Sequence, residues 1–280
     1  MKRILFFNHS SEIGGAELSL LSLLDKLKDN HEIIVAAPLN GPLDEKVKKK
    51  GIKFLPVKVV QVRKTRNPFI LLYYLVSIIL SGMQLKKVIK ELTPDLIHAN
   101  SIRSGIIASL GCGATPLIWH IRDILGSGLL GKLIRHLAKK AKIIIHISEF
   151  LKTEFCHGNT ELLKKSIVIY NGIDFKKIDS ITSTAHFRNE FRIRDGEGPL
   201  IGIVGYIAPL KGQEEFVRAA VRIIREFPRA KFFIAGDILF RRKNRRFFKK
   251  LKTISDEDPY LRGNLFFTGY YADILSLIHI

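Results

Sequence analysis

The sequence predicts an α/β protein built as two lobes facing one cleft, each a parallel sheet covered by helices. Three observations predict it. The apolar run Ile4-Leu5-Phe6-Phe7 ends in the loop Asn8-His9-Ser10-Ser11-Glu12-Ile13-Gly14-Gly15, and a helical pattern opens at Ala16-Glu17. Two hundred residues later the order returns: Leu200-Ile201-Gly202-Ile203-Val204-Gly205, the loop Tyr206-Ile207-Ala208-Pro209-Leu210-Lys211-Gly212, then a second helical pattern. Between and beyond them, strand-like apolar runs alternate with helical periodicity along almost the whole chain, the signature of parallel sheets wrapped by crossover helices. A strand, a glycine-bearing loop and a helix N-terminus together turn unpaired N–H groups and a positive dipole end toward an anion. A phosphorylated ligand in the cleft is therefore expected.

The first strand is expected at 4–8 and the first helix at 16–28, followed by a strand at 32–37 and a helix at 42–50. A strand at 52–57 leads to a helix over 68–92. The stretch from Asn67 to Leu85 carries no formal charge and is flanked by Arg66 and Lys86. A spanning helix needs about 20 predominantly apolar residues. Here Asn67, Pro68, Ser77, Ser81, Gly82 and Gln84 interrupt the run, so a buried or surface-docking helix of the first lobe is favoured over a span. Insertion into a membrane interface stays open, because Tyr73, Tyr74 and the basic flanks suit it. Strands at 95–99, 116–120, 143–147 and 166–170 alternate with helices at 102–111, 128–141 and 149–156. The alternation pauses after Tyr170-Asn171-Gly172-Ile173-Asp174, where the chain turns polar and rich in turn formers up to Gly196-Glu197-Gly198-Pro199. That sets a first domain at 1–175, a linker at 176–198 and a second domain at 199–280. The second holds strands at 200–204, 231–235 and 264–267 and helices at 212–226 and 245–254. Three strands are few for a doubly wound sheet, so the second domain is expected to be incomplete. The last six residues, Leu275 to Ile280, read as a possible artefact.

Composition narrows the function. The chain has 280 residues, 46% hydrophobic and 26% charged, which is globular and not disordered. Its two cysteines, Cys112 and Cys156, have no CxxC spacing, so they point to neither a zinc site nor a disulfide framework, and a reducing cytosol is expected. The formal charge of +20 is the outlier. It suits an anionic membrane leaflet, where each basic residue near the surface is worth roughly 1 kcal/mol, more than it suits nucleic acid. Basic clusters lie at Arg63-Lys64-Thr65-Arg66, from Arg135 to Lys142, and at Arg241-Arg242-Lys243-Asn244-Arg245-Arg246 with Lys249-Lys250. Phe247 and Phe248 fall beside Leu251 at near-helical spacing, so they read as the buried stripe of a helix, not a stacking platform. Asp256-Glu257-Asp258 reads as a solvated turn before Pro259, not a metal site. A Walker A loop, HExxH and an ordered Ser-His-Asp signature are all absent.

An ordered set of short motifs resembles the GT-B glycosyltransferases, specifically the large retaining group that includes phosphatidylinositol mannosyltransferase and many lipopolysaccharide and capsule enzymes. The pieces are Gly14-Gly15-Ala16-Glu17, Trp119-His120-Ile121-Arg122-Asp123, Ser148-Glu149-Phe150 and Val168 to Asp174. They continue with Val204-Gly205 through Lys211-Gly212-Gln213, then Ala235-Gly236-Asp237 and Phe267-Thr268-Gly269-Tyr270. The resemblance implies two Rossmann-like domains and an enzyme expected in the cytoplasm, and the basic clusters with the Asn67–Leu85 helix suit a peripheral seat on the inner face of the plasma membrane. The enzyme would move a sugar from a nucleotide-sugar donor to a saccharide or lipid-linked acceptor in cell-surface glycan synthesis. Retention at the anomeric carbon is implied, with no cofactor and no catalytic metal.

By the same resemblance His120 is the catalytic-site histidine, while Gly14, Gly15, Gly205, Tyr206, Lys211 and Gly236 bind the donor. Gly14 and Gly15 could equally meet an acceptor group. Lys211 would stabilise the departing diphosphate. Arg122, which pairs with Asp123 or orients His120, joins Asn171, Gly172 and Asp174 at the hinge or cleft. Two departures stand out. Where the family has Arg after the glycine of the Lys211 loop, this chain has Tyr206, a weaker counter-charge. The family's paired glutamates lie in sequence that this chain lacks, so the polypeptide as written is expected to be inactive or poorly folded. The rivals are a sugar-nucleotide epimerase of the same fold and a non-enzymatic basic binding protein.

Overall fold

A computed structural model describes residues 1–62, 65–172, 175, 185–238 and 242–271. Asp174, Arg63, Lys64, Phe240, Arg241 and the final six residues lie outside the described residues. The chain divides into two compact units, Met1–Gly172 and Ile173–Ile280.

The first unit alternates β1 (Arg3–Phe7), α1 (Gly15–Leu27), β2 (Glu32–Ala37), α2 (Pro42–Lys49), β3 (Lys53–Pro56) and α3 (Pro68–Leu92). It continues with β4 (Leu96–Ala99), α4 (Ile102–Gly111), β5 (Leu117–Ile121), α5 (Leu129–Ala138) and β6 (Ile143–His146). α6 (Glu149–Cys156), α7 (Thr160–Lys165) and β7 (Ser166–Val168) complete it. All seven strands are parallel, in the order β3-β2-β1-β4-β5-β6-β7. The order reverses between β1 and β4, the point at which such sheets open a crevice at their carboxyl edge.

Alternation along β1 feeds two cores. Leu5 and Phe7 pack with Leu85, Ile107, Trp119 and Phe155 on one face of the sheet. Ile4 and Phe6 pack with Leu20, Leu24, Leu43 and Val47 of α1 and α2 on the other. Polar residues set the helix starts. Asn67 accepts from the amides of Phe69 and Ile70, Ser101 from Ser104 and Ser148 from Leu151. The indole of Trp119 lies where a Cβ on Gly105 would sit, 1.7 Å from that position, so only glycine fits there. The space lets Trp119 Nε1 donate to the carbonyl of Ser101 at 2.9 Å, tying β5 to the start of α4.

The second unit holds α8 (Ala185–Glu190), β8 (Leu200–Val204), a 3₁₀ turn (Pro209–Lys211), α9 (Gln213–Glu226), β9 (Lys231–Ala235), α10 (Arg242–Glu257) and β10 (Leu265–Gly269). Its three strands are parallel in the order β10-β9-β8. Phe247 and Leu251 are buried with Val217, Ile224 and Phe232, so the aromatic stripe of α10 is core, as its spacing implied. Of the stretch expected as a linker, 176–198, the described part from 185 onward packs into the second unit. Phe187 is fully buried, packing with Ile193 against Phe233, and its ring stands 4.8 Å from that of Phe233.

The ten strands coincide with the sequence expectation to within two residues at each end, and the eight expected helices to within three. Two short helices, α7 and α8, were not anticipated. Each has six residues, less than two turns of periodicity. The uncharged run of Asn67–Leu85 forms the surface helix α3, packed beside α4.

Candidate functional site

In the first unit, polar side chains gather at the carboxyl edge of β1, β4 and β5. Asn8, the residue after β1, is fully buried. Its amide nitrogen donates to Glu17 Oε1 at 3.0 Å and to the carbonyl of Ser10 at 2.7 Å. Asn100, the residue after β4, donates to Asn8 Oδ1 at 3.1 Å. Arg122, the residue after β5, spreads its guanidinium over three partners: Asn100 Oδ1 at 3.2 Å, Asn171 Oδ1 at 3.0 Å and His120 Nδ1 at 3.3 Å. Ser19 donates to the same Asn171 oxygen at 3.2 Å. A continuous hydrogen-bonded chain thus runs from α1 across three strand ends to the segment after β7.

His120 is one residue inside β5 and buried, so it lies beneath Arg122 rather than at the surface. Arg122 orients it, as one of the two sequence alternatives proposed, while Asp123 is exposed and the guanidinium points to the other three groups. His98 Nε2 stands 3.2 Å from the same Nδ1. Burial, then the guanidinium of Arg122, pushes His98 down to about 3 and His120 down to about 2. Both rings are therefore neutral, and Arg122 donating to Nδ1 assigns the His120 proton to Nε2. That Nε2 is buried without a partner among the described residues. A buried donor left unpaired costs about 1–3 kcal/mol, so a hydroxyl or water reaching it is favoured.

The two glycines of the first loop have different surroundings. Gly14 caps α1, and its amide donates to Glu17 Oε2 at 3.0 Å. The buried Glu17 carboxylate thus already occupies the positive end of α1, where a phosphate would sit. Open space surrounds Gly15. The Glu17 carboxylate places a negative charge at this helix end.

The second unit carries the complementary feature. Gly205 (φ +154°) ends β8 and Gly236 (φ +152°) ends β9. A Cβ on Gly236 would lie 2.0 Å from the carbonyl oxygen of Gly205, so the two loops can meet only with glycine there. Gln213 is fully buried and clamps the loop: Oε1 accepts from the Ala208 amide at 3.2 Å, and Nε2 donates to the carbonyls of Gly205 at 3.3 Å and Tyr206 at 3.1 Å. Lys211 closes the 3₁₀ turn with its Nζ 5.0 Å from the Tyr206 ring centre, a cation–π contact. Gly212 caps α9 with no side-chain hydrogen bond, leaving the first amides of α9 to an outside acceptor. Glu214 in that first turn is drawn aside by Lys250, at 2.6 Å, and Arg218, at 2.9 Å.

The structure therefore joins Arg122, Asn171 and His120 in the first unit, and Gly205, Tyr206, Lys211 and Gly236 in the second. Gly172 is exposed beside Asn171. Sequence reasoning missed Asn8, Glu17, His98, Asn100 and Gln213. For Gln213 a signal existed, its place directly after Lys211-Gly212. Of the basic clusters, Arg135 is buried and donates to the carbonyls of Phe155, Gly126, Leu125 and Glu154, so it is structural, not part of a basic surface. Among the described residues no group of three His, Cys, Asp or Glu side chains is placed to hold a metal.

A family model for Glycosyltransferase Family 4 matches residues 13–177, more than half of the chain. The chain belongs to Glycosyltransferase Family 4. Among curated relatives of this family-4 chain is an uncharacterized glycosyltransferase, MJ1059, of Methanocaldococcus jannaschii. It is 24% identical over 266 residues, covering 88% of this chain and 61% of the relative. This family-4 chain therefore spans less than two thirds of that relative's length. Among solved structures, Anabaena HepE in complex with UDP and glucose is similar at TM-score 0.79 and 22% identity, over 99% of this chain and 72% of HepE. A UDP-GlcNAc 2-epimerase from Neisseria meningitidis, bound to UDP-GlcNAc, is similar at TM-score 0.60 and 15% identity, over 100% and 74%. These likenesses bear out the two-unit α/β fold of the GT-B type for this family-4 chain.

Proposed function

We propose that the protein transfers a sugar from a nucleotide-sugar donor to a saccharide or lipid-linked acceptor in cell-surface glycan synthesis, with retention at the anomeric carbon. The observation that carries the reading is the uncapped N-terminus of α9 beside Lys211, set by the Gln213 clamp. Those amides and the Lys211 ammonium would receive the donor diphosphate and stabilise the charge that grows on it as the glycosidic bond breaks. Because the donors are held before the substrate arrives, little reorganisation accompanies bond cleavage. Tyr206 supplies no second cation but holds Lys211 over its ring.

The carboxyl edge of the first unit suits the acceptor. Neutral histidines, amide side chains and a fixed guanidinium bind hydroxyl groups without demanding a phosphate. Retention follows the resemblance of the motifs, and Glycosyltransferase Family 4 membership supports transfer over epimerisation.

The test is Lys211→Ala with donor and acceptor supplied. Turnover is expected to fall by roughly tenfold or more, with weaker inhibition by nucleoside diphosphates. Unchanged kinetics would remove Lys211 from the site. Product formation from the donor alone would replace the transferase reading with epimerisation.

A further inference from the structure

α3 is apolar on the wrong side for a helix in water. Its inward face, against α4, carries Ser77, Ser81 and Gly82. Ser81 Oγ donates to the carbonyls of Lys58 and Ser77, each at 2.8 Å. The two backbones approach so closely that a Cβ on Gly111 would lie 2.6 Å from the carbonyl oxygen of Gly82. The outward face carries Phe69 (80% exposed), Leu72 (59%), Leu80 (58%) and Met83 (63%), with Val76 exposed between them. At about 100° per residue these five fall in one sector, Lys87 and Lys90 continue the same stripe toward the C-terminus, and Lys86 lies beside it. Five large side chains in one sector exceed the scattered apolar exposure that soluble surfaces carry.

We propose that this face of α3 lies flat in the interface of an anionic bilayer, holding the protein on the cytoplasmic leaflet. The helix does not span. Its ends feed β3 and β4 of one sheet, and Leu85 and Ile89 are part of the core beneath that sheet. Charge selects the occupant. Arg66 is exposed just before the N-terminal end, Lys58 beside Ser81 and Gln84, and the three lysines at the C-terminal end; no acidic residue occurs from Asn67 to Lys90, and Glu91 beyond them stands 4.0 Å from Lys87. A second copy docked through this face would set those cations against their own kind, whereas phosphatidylglycerol or phosphatidylserine headgroups neutralise them. The chain's net +20 adds to the attraction. The proposal does not rest on the transfer reaction, since a chain inactive toward sugar donors would still bind vesicles.

Flotation with phosphatidylcholine vesicles and with mixed phosphatidylcholine–phosphatidylglycerol vesicles tests it. The protein is expected to float with the anionic vesicles and to favour them. Replacing Lys86, Lys87 and Lys90 together by Ser lowers anionic-vesicle partitioning on the order of a hundredfold, at about one kcal/mol per lysine. Replacing Leu72, Leu80 and Met83 together by Ser abolishes binding to both vesicle types. Emission of the buried Trp119 reports whether each variant keeps its fold, and the lysine variant, altered only at exposed ends, keeps the test open if the apolar one unfolds. Protein left unbound with anionic vesicles, equal recovery on the two types, or a lipid-free dimer abolished by the apolar variant would each overturn the assignment.

Discussion

Acidification should unfold the first unit well before its carboxylates titrate. His98, His120 and His146 are buried, and burial foremost holds them at about 3, 2 and 4, against an ordinary value near 6.5. With folded values depressed, the native state binds fewer protons than the unfolded chain between pH 6 and 5. Stability is therefore full above 6.5 and lost as pH falls. Each histidine contributes a slope of about 1.4 kcal/mol per pH unit, so the three together give about 4 kcal/mol per unit, a large share of a typical domain's 5–15 kcal/mol. His9, also lowered by burial, acts in the same direction. Asp95, Glu161, Glu197 and Glu214 are held below their usual ranges by backbone amides and lysines, so their effects fall below this window. The assay is urea unfolding followed by Trp119, the sole tryptophan, fully buried in the first unit. Replacing His98 and His120 together by Gln should cut the slope to about a third. An unchanged slope in that variant, or a flat profile in the parent, would refute the assignment of neutral buried histidines.

Arg122→Lys should behave as a radical change, because one ammonium cannot reach Asn100, Asn171 and His120 together. The catalytic efficiency is expected to fall by roughly tenfold or more with little loss of stability, read from kcat/KM and the unfolding midpoint. Gln213→Glu should destabilise the second unit by about 1–3 kcal/mol, since a carboxylate would face the carbonyls of Gly205 and Tyr206 that now receive an amide. Faster hydrogen exchange at the Ala208 amide would be its local signature, and unchanged exchange would discount the clamp.

Most of the fold was legible because its period is regular. Runs such as Ile33–Ala37 and Phe232–Ala235 are apolar at every position, as strands covered on both faces must be. α8 was not legible, because its stretch looked polar. Phe187 within it and Phe191 and Ile193 just after it anchor the segment, and their meaning depends on Phe233 and Phe266, which arrive later in the chain. α3 was legible in position but not in orientation. Hydropathy locates an apolar helix, and only packing reveals that its serines face inward.

The candidate site was harder to read for a topological reason. Asn8, Asn100 and Arg122 are separated by 92 and 22 residues and become neighbours because β4 pairs with β1 and β5 with β4. Singly, each is a polar residue after a strand, indistinguishable from a loop former. Glu17 is the sharper case. In sequence it is a favourable first-turn acid, and the two glycine loops look equivalent. In the structure its carboxylate accepts from the Gly14 amide at the end of α1, while in the first turn of α9 Glu214 is drawn to Lys250 and Arg218 and Glu215, at the position matching Glu17, is exposed. On the proposed reading, an anion is therefore favoured at the second loop, beside Lys211, over the first. The two similar loops differ in charge at their helix ends because Glu17 turns back onto its own cap and Glu214 turns away to Lys250 and Arg218.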